Sequence, residues 1–231
     1  GGKLEEIFSS KEILKKELNP NLKIKFNSSY SKNSFLNNLN NNLGYINFDS
    51  KFNEISKFKF KKIKNFNYIN PDLLIGKDNS LTLFDKKGTI LKFDQSSKLL
   101  WEKNHYDKKD IKQNPSINFA SNGKIIIASD NLANIYAMDH LTGDLLWKNL
   151  NTASFNSEIK IFNEKAFLID FENVIKCISI KNGKELWKFG TEKSFIKSQR
   201  KLSLIIQNGL VIFMDTFGDI NALDINSGNL V

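Results

Sequence analysis

One sequence pattern occurs four times along the chain and limits what the chain can fold into. At 125–147 it reads IIIASDNLANIYAMDHLTGDLLW, and related stretches lie at 81–101, 166–187 and 210–231. The aspartate that closes the first apolar run falls at Asp85, Asp130, Asp170 and Asp215, so the repeat period is 40 to 45 residues. Similarity at a fixed period indicates repeated supersecondary units, so we predict an array of such units.

The tryptophans keep the same register as the aspartates. They close three copies, at Trp101, Trp147 and Trp187, and the spacing from Asp139 to Trp147 predicts a fourth tryptophan at position 232. The chain begins Gly1-Gly2 and ends at Val231, one residue short of that position. We therefore expect a piece of a longer protein, with its last repeat truncated.

Each repeat is predicted to contain four short strands, because short apolar runs alternate with turn residues. In the second copy the strands are expected at 116–120, 124–129, 134–139 and 144–149. Four antiparallel strands at this period are typical of a propeller blade. The predicted fold is an all-β propeller of four-stranded antiparallel blades, a partial ring of about four, at 67–104, 115–149, 157–189 and 201–231.

Two kinds of turn are predicted within each blade. The first joins strands one and two and is expected at Asp78-Asn79, Asn122-Gly123, Asn163-Glu164 and Asn208-Gly209. Asn-Gly favours a two-residue hairpin in which both central residues have positive φ. The second follows the repeat aspartate and places Gly88, Ala133, Asn173 or Gly218 where glycine or asparagine is favoured. Ala133 fits this position poorly.

The recurring residues have structural explanations. Asp130, Asp170 and Asp215, together with Asp85, Asp139 and Asp224, are interpreted as turn residues that accept hydrogen bonds from the backbone. Gly143, Gly183 and Gly228 allow the chain reversal before the outer strand. Trp101, Trp147 and Trp187 are predicted to fill the gap between neighbouring blades, with each indole N–H reaching a backbone carbonyl.

The sequence offers no set of residues for catalysis, for a cofactor or for a metal ion. Cys177, the only cysteine, occupies the small-residue position that Ala137 and Ala222 hold in other copies, so we expect it to pack rather than react. His105 and His140 lie in turn or loop contexts without a Ser or Cys nucleophile nearby, and we interpret them as surface residues.

The composition limits the classes of partner. The net charge is +9, but almost all of the positive charge is lysine and Arg200 is the only arginine. Because arginine dominates bidentate recognition of phosphates and bases, this composition argues against specific binding of nucleic acid. No apolar run approaches the ~20 residues of a membrane-spanning helix.

We expect residues 1–66 to form an N-terminal extension to the blades. Residues 3–18 carry apolar side chains at helical spacing and predict a short amphipathic helical segment, which ends at Asn19-Pro20. An Asn- and Ser-rich loop is expected at 27–42. Residues 57–63 alternate apolar and lysine residues and are our candidate for a strand that closes the ring, with 22–26 as the alternative.

The repeat resembles a known class. The sequence AMDHLTGDLLW at 137–147, with its small residue, Asp, Thr-Gly and Leu-Trp, resembles the PQQ-type propeller repeat. Within that class the chain is similar to the BamB family of the outer-membrane β-barrel assembly machinery. The resemblance covers 68–231 and implies a ring of about eight blades, of which this chain supplies about four.

The resemblance also implies a function. It predicts a non-catalytic periplasmic scaffold, peripheral to the outer membrane through a lipid anchor not present in this chain, that docks on the assembly machinery and on nascent outer-membrane proteins. The first alternative is a fragment of a quinoprotein dehydrogenase, which would bind pyrroloquinoline quinone and calcium. The chain has one cysteine and one arginine, whereas the alcohol dehydrogenases of that group line the cofactor with an adjacent Cys-Cys pair and an arginine. The second alternative is a sensor domain built from the same repeats.

Overall fold

The four repeats fold into four separate antiparallel sheets, one for each repeat. In this computed structural model, residues 57–58, 73–76, 78–85, 88–193 and 201–231 are described. All of them belong to one unit, Asn33–Val231. The predicted fold class is confirmed: the chain is an all-β propeller of antiparallel blades that forms a partial ring.

The first three sheets have four strands each, and every strand pairs with the next one along the chain. The first blade contains β1 (Leu74–Ile75), β2 (Leu81–Phe84), β3 (Thr89–Phe93) and β4 (Leu99–Asn104). The second contains β5 (Ile117–Ser121), β6 (Ile125–Asp130), β7 (Asn134–Asp139) and β8 (Leu145–Leu150). The third contains β9 (Lys160–Phe162), β10 (Lys165–Ile169), β11 (Val174–Ser179) and β12 (Glu185–Gly190).

The fourth sheet has three strands, β13 (Leu204–Gln207), β14 (Leu210–Met214) and β15 (Ile220–Asp224). An isolated antiparallel bridge joins Leu223 to Leu230, at the place where Met138 pairs with Leu145 in the second blade. This blade therefore shows three strands and the start of its outer strand.

A short helix separates the first two blades. It is α1 (Lys108–Lys112), and its N-cap residue is Asp107, whose carboxylate accepts a hydrogen bond from the Asp110 backbone N–H at 2.8 Å. A cap of this kind satisfies one of the free N–H groups at the start of a helix. The helix lies in a segment that leads from the outer edge of the first blade to the inner strand of the second.

The apolar core lies between neighbouring blades. Three buried clusters span the joint between blades one and two, the joint between blades two and three, and the joint between blades three and four. In β6 every residue except Ile125 is buried, because each face of this strand packs against a different neighbouring sheet. The sheets therefore stabilise one another by face-to-face packing.

The first strands of the blades face the inside of the partial ring. β1, β5, β9 and β13 are in contact from one blade to the next. Ser157 and Leu202 form a parallel bridge, and the Leu202 N–H donates to the carbonyl oxygen of Asn156 at 2.7 Å. At the other side, β8 is mostly exposed, as expected for the outer edge strand of a blade.

The hairpin turn of the second blade differs from its prediction. Asn122 N–H bonds to the Ile125 carbonyl, so the central residues of the turn are Gly123 and Lys124 rather than Asn122 and Gly123. The shift occurs because the Asn122 side-chain oxygen accepts from the N–H groups of both Lys124 and Ile125, at 2.9 Å each. In the fourth blade, Asn208 and Gly209 are the central residues and have φ of 52° and 77°.

The turn after each repeat aspartate contains one residue with positive φ. These residues are Gly88, Ala133, Asn173 and Gly218, with φ of 80°, 69°, 58° and 94°. An alanine in this region is strained because its Cβ approaches the following carbonyl oxygen. Ala133 adopts the conformation that the turn requires, at an energetic cost.

Several predictions fall on other parts of the chain. The N-terminal helical segment, the loop at 27–42 and the strand at 22–26 lie outside the described residues. Of the predicted closing strand at 57–63, only Lys57 and Phe58 are described. The Phe58 ring packs edge-on against Phe93, with ring centroids 5.6 Å apart, beside the first blade.

We predict that the substitution Ala133→Gly stabilises the protein. Glycine relieves about 1–2 kcal/mol of strain at positive φ, and its greater freedom in the unfolded chain offsets about 0.4–1 kcal/mol of this gain, so we expect the free energy of unfolding to rise by about 0.5–1 kcal/mol. The reciprocal control is Gly218→Ala, where a Cβ would contact nothing within 4 Å, so only the backbone strain is added. Chemical denaturation measures both variants. Loss of stability in Ala133→Gly would contradict the assignment of strain to this turn.

Candidate functional site

Each of the three joints between blades contains one tryptophan that bonds to the next blade. The Trp101 Nε1–H donates to the His140 carbonyl oxygen at 3.3 Å. Trp147 and Trp187 donate in the same way to Ile180 and Ile225, at 2.8 Å and 3.2 Å. The tryptophans thus satisfy the polar end of the indole while burying its apolar surface at the joint.

A glycine lies beneath each tryptophan ring. Gly143, Gly183 and Gly228 have φ of 74°, 73° and 72°. A Cβ on any of them would lie 2.6 Å from an atom of the preceding blade's indole ring. Glycine is therefore required at this position for two reasons, the backbone conformation and the close approach of the indole ring.

The repeat aspartates hold the turns that separate strands two and three. In the second blade, Asp130 Oδ1 accepts from the N–H groups of Leu132 and Asn134, at 2.9 Å and 2.8 Å. Asp170 and Asp215 make the same pair of bonds in their own blades. These three carboxylates are almost completely buried, and their oxygens satisfy backbone groups of the turn.

A buried hydrogen-bond chain includes one of these aspartates. The Tyr106 hydroxyl donates to Asp130 Oδ2 at 2.7 Å, and the Tyr136 hydroxyl donates to the Tyr106 oxygen at 3.1 Å. Burial is the main cause that raises the pKa of both phenols. The chain fills the joint between blades one and two with two aromatic rings, which meet edge to face at 6.1 Å.

The same joint contains a polar group that the sequence did not predict, here called the Lys92 cluster, composed of Asp78, Lys92, Ser121 and His140. Lys92 is 1% exposed, and its Nζ donates to the His140 carbonyl oxygen at 2.9 Å. The same Nζ lies 3.3 Å from Asp78 Oδ2. A buried ammonium is tolerated only with such partners.

The interpretation of His140 as a surface residue without a nearby serine is wrong. His140 is buried, its Nε2 lies 3.2 Å from Asp78 Oδ2, and its Nδ1 lies 3.3 Å from Ser121 Oγ. The residue occupies the position that Ile180 and Ile225 hold in the next two blades, directly after the turn aspartate or serine. That position points into the joint, which explains the burial.

The arrangement of the Lys92 cluster differs from that of a hydrolase triad. Ser121 is completely buried, and its Oγ accepts from the Gly123 N–H at 3.0 Å. Asp78, at the opposite end of the chain of contacts, is the exposed member, with 45% of its side chain accessible. A nucleophile must be accessible to its substrate, and Ser121 is not. The cluster instead joins Asp78 and Lys92 of the first blade to Ser121 and His140 of the second.

The Asp78 carboxyl has a strongly shifted acidity. Partial burial alone would raise its pKa, but hydrogen bonds from Ser80 and His140 and the charge of Lys92 together hold the pKa well below its usual range. The carboxylate is therefore the stable form beside Lys92. It is the counter-charge of the buried Lys92 ammonium.

The two other residues considered for chemistry have structural surroundings. His105 is half-buried, with Nε2 3.1 Å from the Gly143 carbonyl oxygen, and its burial lowers its pKa. Cys177 is fully buried, and burial raises the pKa of its thiol to about 12. In the part of the chain that the structure describes, no group of three or more His, Cys, Asp and Glu side chains could hold a metal ion.

Two members of the Lys92 cluster, Lys92 and His140, are exceptions to the repeat in the sequence. Lys92 stands in the small-residue position of Ala137, Cys177 and Ala222, and the residue directly after the aspartate or serine of the last turn is histidine only in the second blade. Each exception alone reads as ordinary variation. Lys92 and His140 form one cluster only because the packing of the two blades brings them into contact.

An open cavity of about 280 Å³ lies between blades two and three. Its apolar lining comes from Ile135, Phe155 and Ile178, and Leu150 lies at the end of the edge strand β8. Lys176 and Glu185 add an ion pair, with Nζ 3.0 Å from Oε2. We call this space the inter-blade cavity.

These features define the class of the protein. Antiparallel blades repeated every 40 to 45 residues and joined by a tryptophan over a glycine turn make a propeller of PQQ-like repeats. A family model described as "Outer membrane protein assembly factor BamB" matches residues 86–231, more than half of the chain. The chain therefore belongs to the BamB family. Comparison with curated protein sequences found no match.

Solved structures share the fold. BamB from Moraxella catarrhalis is 18% identical with a TM-score of 0.58, and the match covers 69% of this chain and 47% of that one. The computationally designed Ika4 protein is 13% identical with a TM-score of 0.57, covering 76% of this chain and 99% of Ika4. The designed Ika8 protein is 21% identical with a TM-score of 0.54, covering 69% and 46%.

The present chain thus spans about half the length of the Moraxella catarrhalis BamB chain. Identities this low carry information about the fold alone. Within the described residues, no helix is both long and apolar enough to cross a membrane.

We predict that Gly183→Ala is far more destabilising than Gly123→Ala. Both glycines have positive φ, 73° and 90°, so both variants add backbone strain of about 1 kcal/mol. Only at Gly183 would the Cβ meet the Trp147 ring, at 2.6 Å, and overpacking adds about 1–3 kcal/mol. Thermal or chemical unfolding measures the difference. Equal losses in the two variants would show that the contact under Trp147 is adjustable.

We also predict that Asp78→Asn changes how stability depends on pH. A carboxyl whose folded pKa is depressed contributes stability above its unfolded pKa and loses it as the pH falls toward the folded pKa. The wild type should therefore lose stability below about pH 5 more steeply than the variant. At pH 7 the variant should be less stable by about 1–2 kcal/mol, because Lys92 loses its counter-charge at a half-exposed site.

Denaturant unfolding at several pH values gives both profiles. Asp94→Asn is the control, because this carboxyl also has a lowered pKa but its hydrogen bonds come from Ser96 and Lys98 in its own turn rather than from the joint. If the wild type and Asp78→Asn have parallel profiles, the Lys92 cluster does not depend on the carboxylate.

Proposed function

We propose that the chain is a non-catalytic interaction propeller that assists the assembly of outer-membrane β-barrel proteins. Membership in the BamB family supports this role. Its partners would be the outer-membrane assembly machinery and nascent outer-membrane proteins. Its location would be the periplasm, peripheral to the outer membrane.

The observation that carries the proposal is the row of exposed leucines on the outer edge strands. Leu100 on β4, Leu146 on β8 and Leu186 on β12 are 48%, 48% and 45% exposed. Among the described residues, each of these strands is the last in its sheet, and one side of its backbone has no neighbouring strand. An edge strand with apolar side chains is a template for pairing with another extended chain.

An unfolded outer-membrane β-barrel protein is the kind of chain that such an edge strand can bind. A β-barrel protein on its way to the membrane is an unfolded chain with alternating apolar residues. Such a chain can add a strand to an exposed edge, with backbone hydrogen bonds that are independent of sequence and apolar contacts on alternate residues. The recurring side chains of the blades are engaged in joints and turns, which leaves the edges and loops for partners.

We predict that Leu146→Lys weakens binding of an unfolded outer-membrane β-barrel protein by about tenfold, the effect of one lost apolar contact plus a charge on the edge. The control is Leu141→Lys, because Leu141 is 77% exposed but lies in a turn outside the edge strands. Fluorescence anisotropy with a urea-diluted, labelled barrel protein measures both affinities.

Two results would contradict the proposal. One is equal binding by Leu146→Lys and Leu141→Lys, which would remove the edge from the interaction. The other is bound quinone with dye-linked alcohol oxidation by the purified protein, which would favour the quinoprotein alternative over the scaffold. Co-purification of the chain with the barrel assembly complex would support it.

A further inference from the structure

The inter-blade cavity exists because one joint differs from its neighbour. In the second blade the position six residues after the repeat aspartate is Tyr136, whose ring is fully buried against Tyr106. In the third blade the same position is Lys176. Lys176 lines a cavity where Tyr136 is covered by an aromatic ring. The joint between blades two and three therefore places a lysine where the joint between blades one and two holds two buried aromatic rings.

The charged side chains of β11 and β12, beside this cavity, are two lysines and one glutamate. Lys176 and Lys188 are opposite each other on neighbouring strands, and both approach Glu185, with Nζ to carboxylate oxygen distances of 3.0 Å and 3.7 Å. Two ammonium groups thus share one carboxylate. The Lys176 side chain is only 14% exposed, so its attraction for a second anion is screened less than that of a surface lysine.

The position of the cavity, beside an edge strand, favours an anion that belongs to an extended polypeptide. It lies beside the end of β8, where Leu150 is 75% exposed. Within the described residues β8 is an edge strand, and its last residues, Asn149 and Leu150, line the cavity, so an extended chain that pairs with this end of β8 would lie beside the cavity. Successive side chains of a strand point to opposite faces. One residue of the added strand can therefore enter the cavity while the edge holds the backbone.

We propose that the inter-blade cavity binds the carboxylate side chain of a glutamate or aspartate in an extended segment of a partner polypeptide. Lys176 is the residue that recognises the carboxylate, and Leu150 contacts an apolar side chain of the same segment. The inference rests on the proposed function, because it assumes that β8 accepts a strand. It adds a specificity for acidic residues that edge pairing alone does not have.

The experiment compares two capped peptides with alternating valine and threonine that differ at one central position, which is glutamate in one and glutamine in the other. Titration calorimetry with the full chain at low ionic strength should show about tenfold tighter binding of the glutamate peptide, the effect of one charge-assisted hydrogen bond. High salt should reduce this preference.

Three variants test whether Lys176 and Glu185 determine the preference for the glutamate peptide. Lys176→Gln should abolish it, whereas Glu185→Gln should increase it, because the competing carboxylate is removed. Lys103→Gln is the matched control: Lys103 forms an ion pair with Asp144 at 2.7 Å in the joint between blades one and two, and its loss should leave the preference unchanged. An increase in Glu185→Gln cannot result from misfolding, so the outcome does not depend on the stability of Lys176→Gln.

The results separate this inference from the proposed function. Equal binding of the two peptides, or an unchanged preference in Lys176→Gln, overturns the cavity as a carboxylate site, even if unfolded barrel proteins still bind at the edge. Displacement of the glutamate peptide by free propionate at the peptide's own concentration overturns a polypeptide partner in favour of a small carboxylate. A preference that persists while barrel proteins fail to bind supports the cavity and overturns the scaffold role.

Discussion

The contact between a tryptophan ring and a glycine turn in the next blade is the interaction on which the rest of this propeller depends. A four-stranded sheet with apolar residues on both faces cannot bury them alone, so each blade needs a neighbour on both sides. Ile135 and Ile175 are almost completely buried, whereas Ile220, in the same position of the fourth blade, is 75% exposed. Burial in this fold is therefore a property of the joint rather than of the single blade, and the tryptophan contact sets how closely two blades approach.

The blades and most of their turns could be predicted because they are local and repeated. The strands expected in the second copy lie within one residue of β5 to β8, since apolar runs and turn residues specify them without reference to the rest of the chain. The turn at Gly123 was displaced by one residue because a side chain, Asn122, competes for the backbone N–H groups. Such competition depends on geometry that the residue types do not contain.

The Lys92 cluster and the inter-blade cavity could not be predicted, and the reason is the same for both. Each depends on a departure from the repeat that meets the neighbouring blade: Lys92 faces His140 across one joint, and Lys176 lies near the end of β8 across another. Reading the repeats one at a time shows a lysine in an apolar column and nothing that faces it. Only the packing of neighbouring sheets brings the exceptions together, and His140 was misjudged as a surface residue for that reason.

This distinction indicates where partner binding can lie in a protein of repeats. The recurring tryptophans, glycines and aspartates are engaged by the joints and turns, so their chemistry is already used by the fold. The departures from the repeat at the two joints differ in how their charged groups are paired. At the first joint the buried ammonium of Lys92 contacts both a carbonyl oxygen and the Asp78 carboxylate, which satisfies the cluster internally. At the second joint two ammonium groups share the single carboxylate of Glu185 beside an open cavity and an exposed edge strand. A polar group that is satisfied internally holds two blades together, whereas an unbalanced one at an accessible edge attracts a ligand, and for that reason the second joint, rather than the first, is where we place recognition.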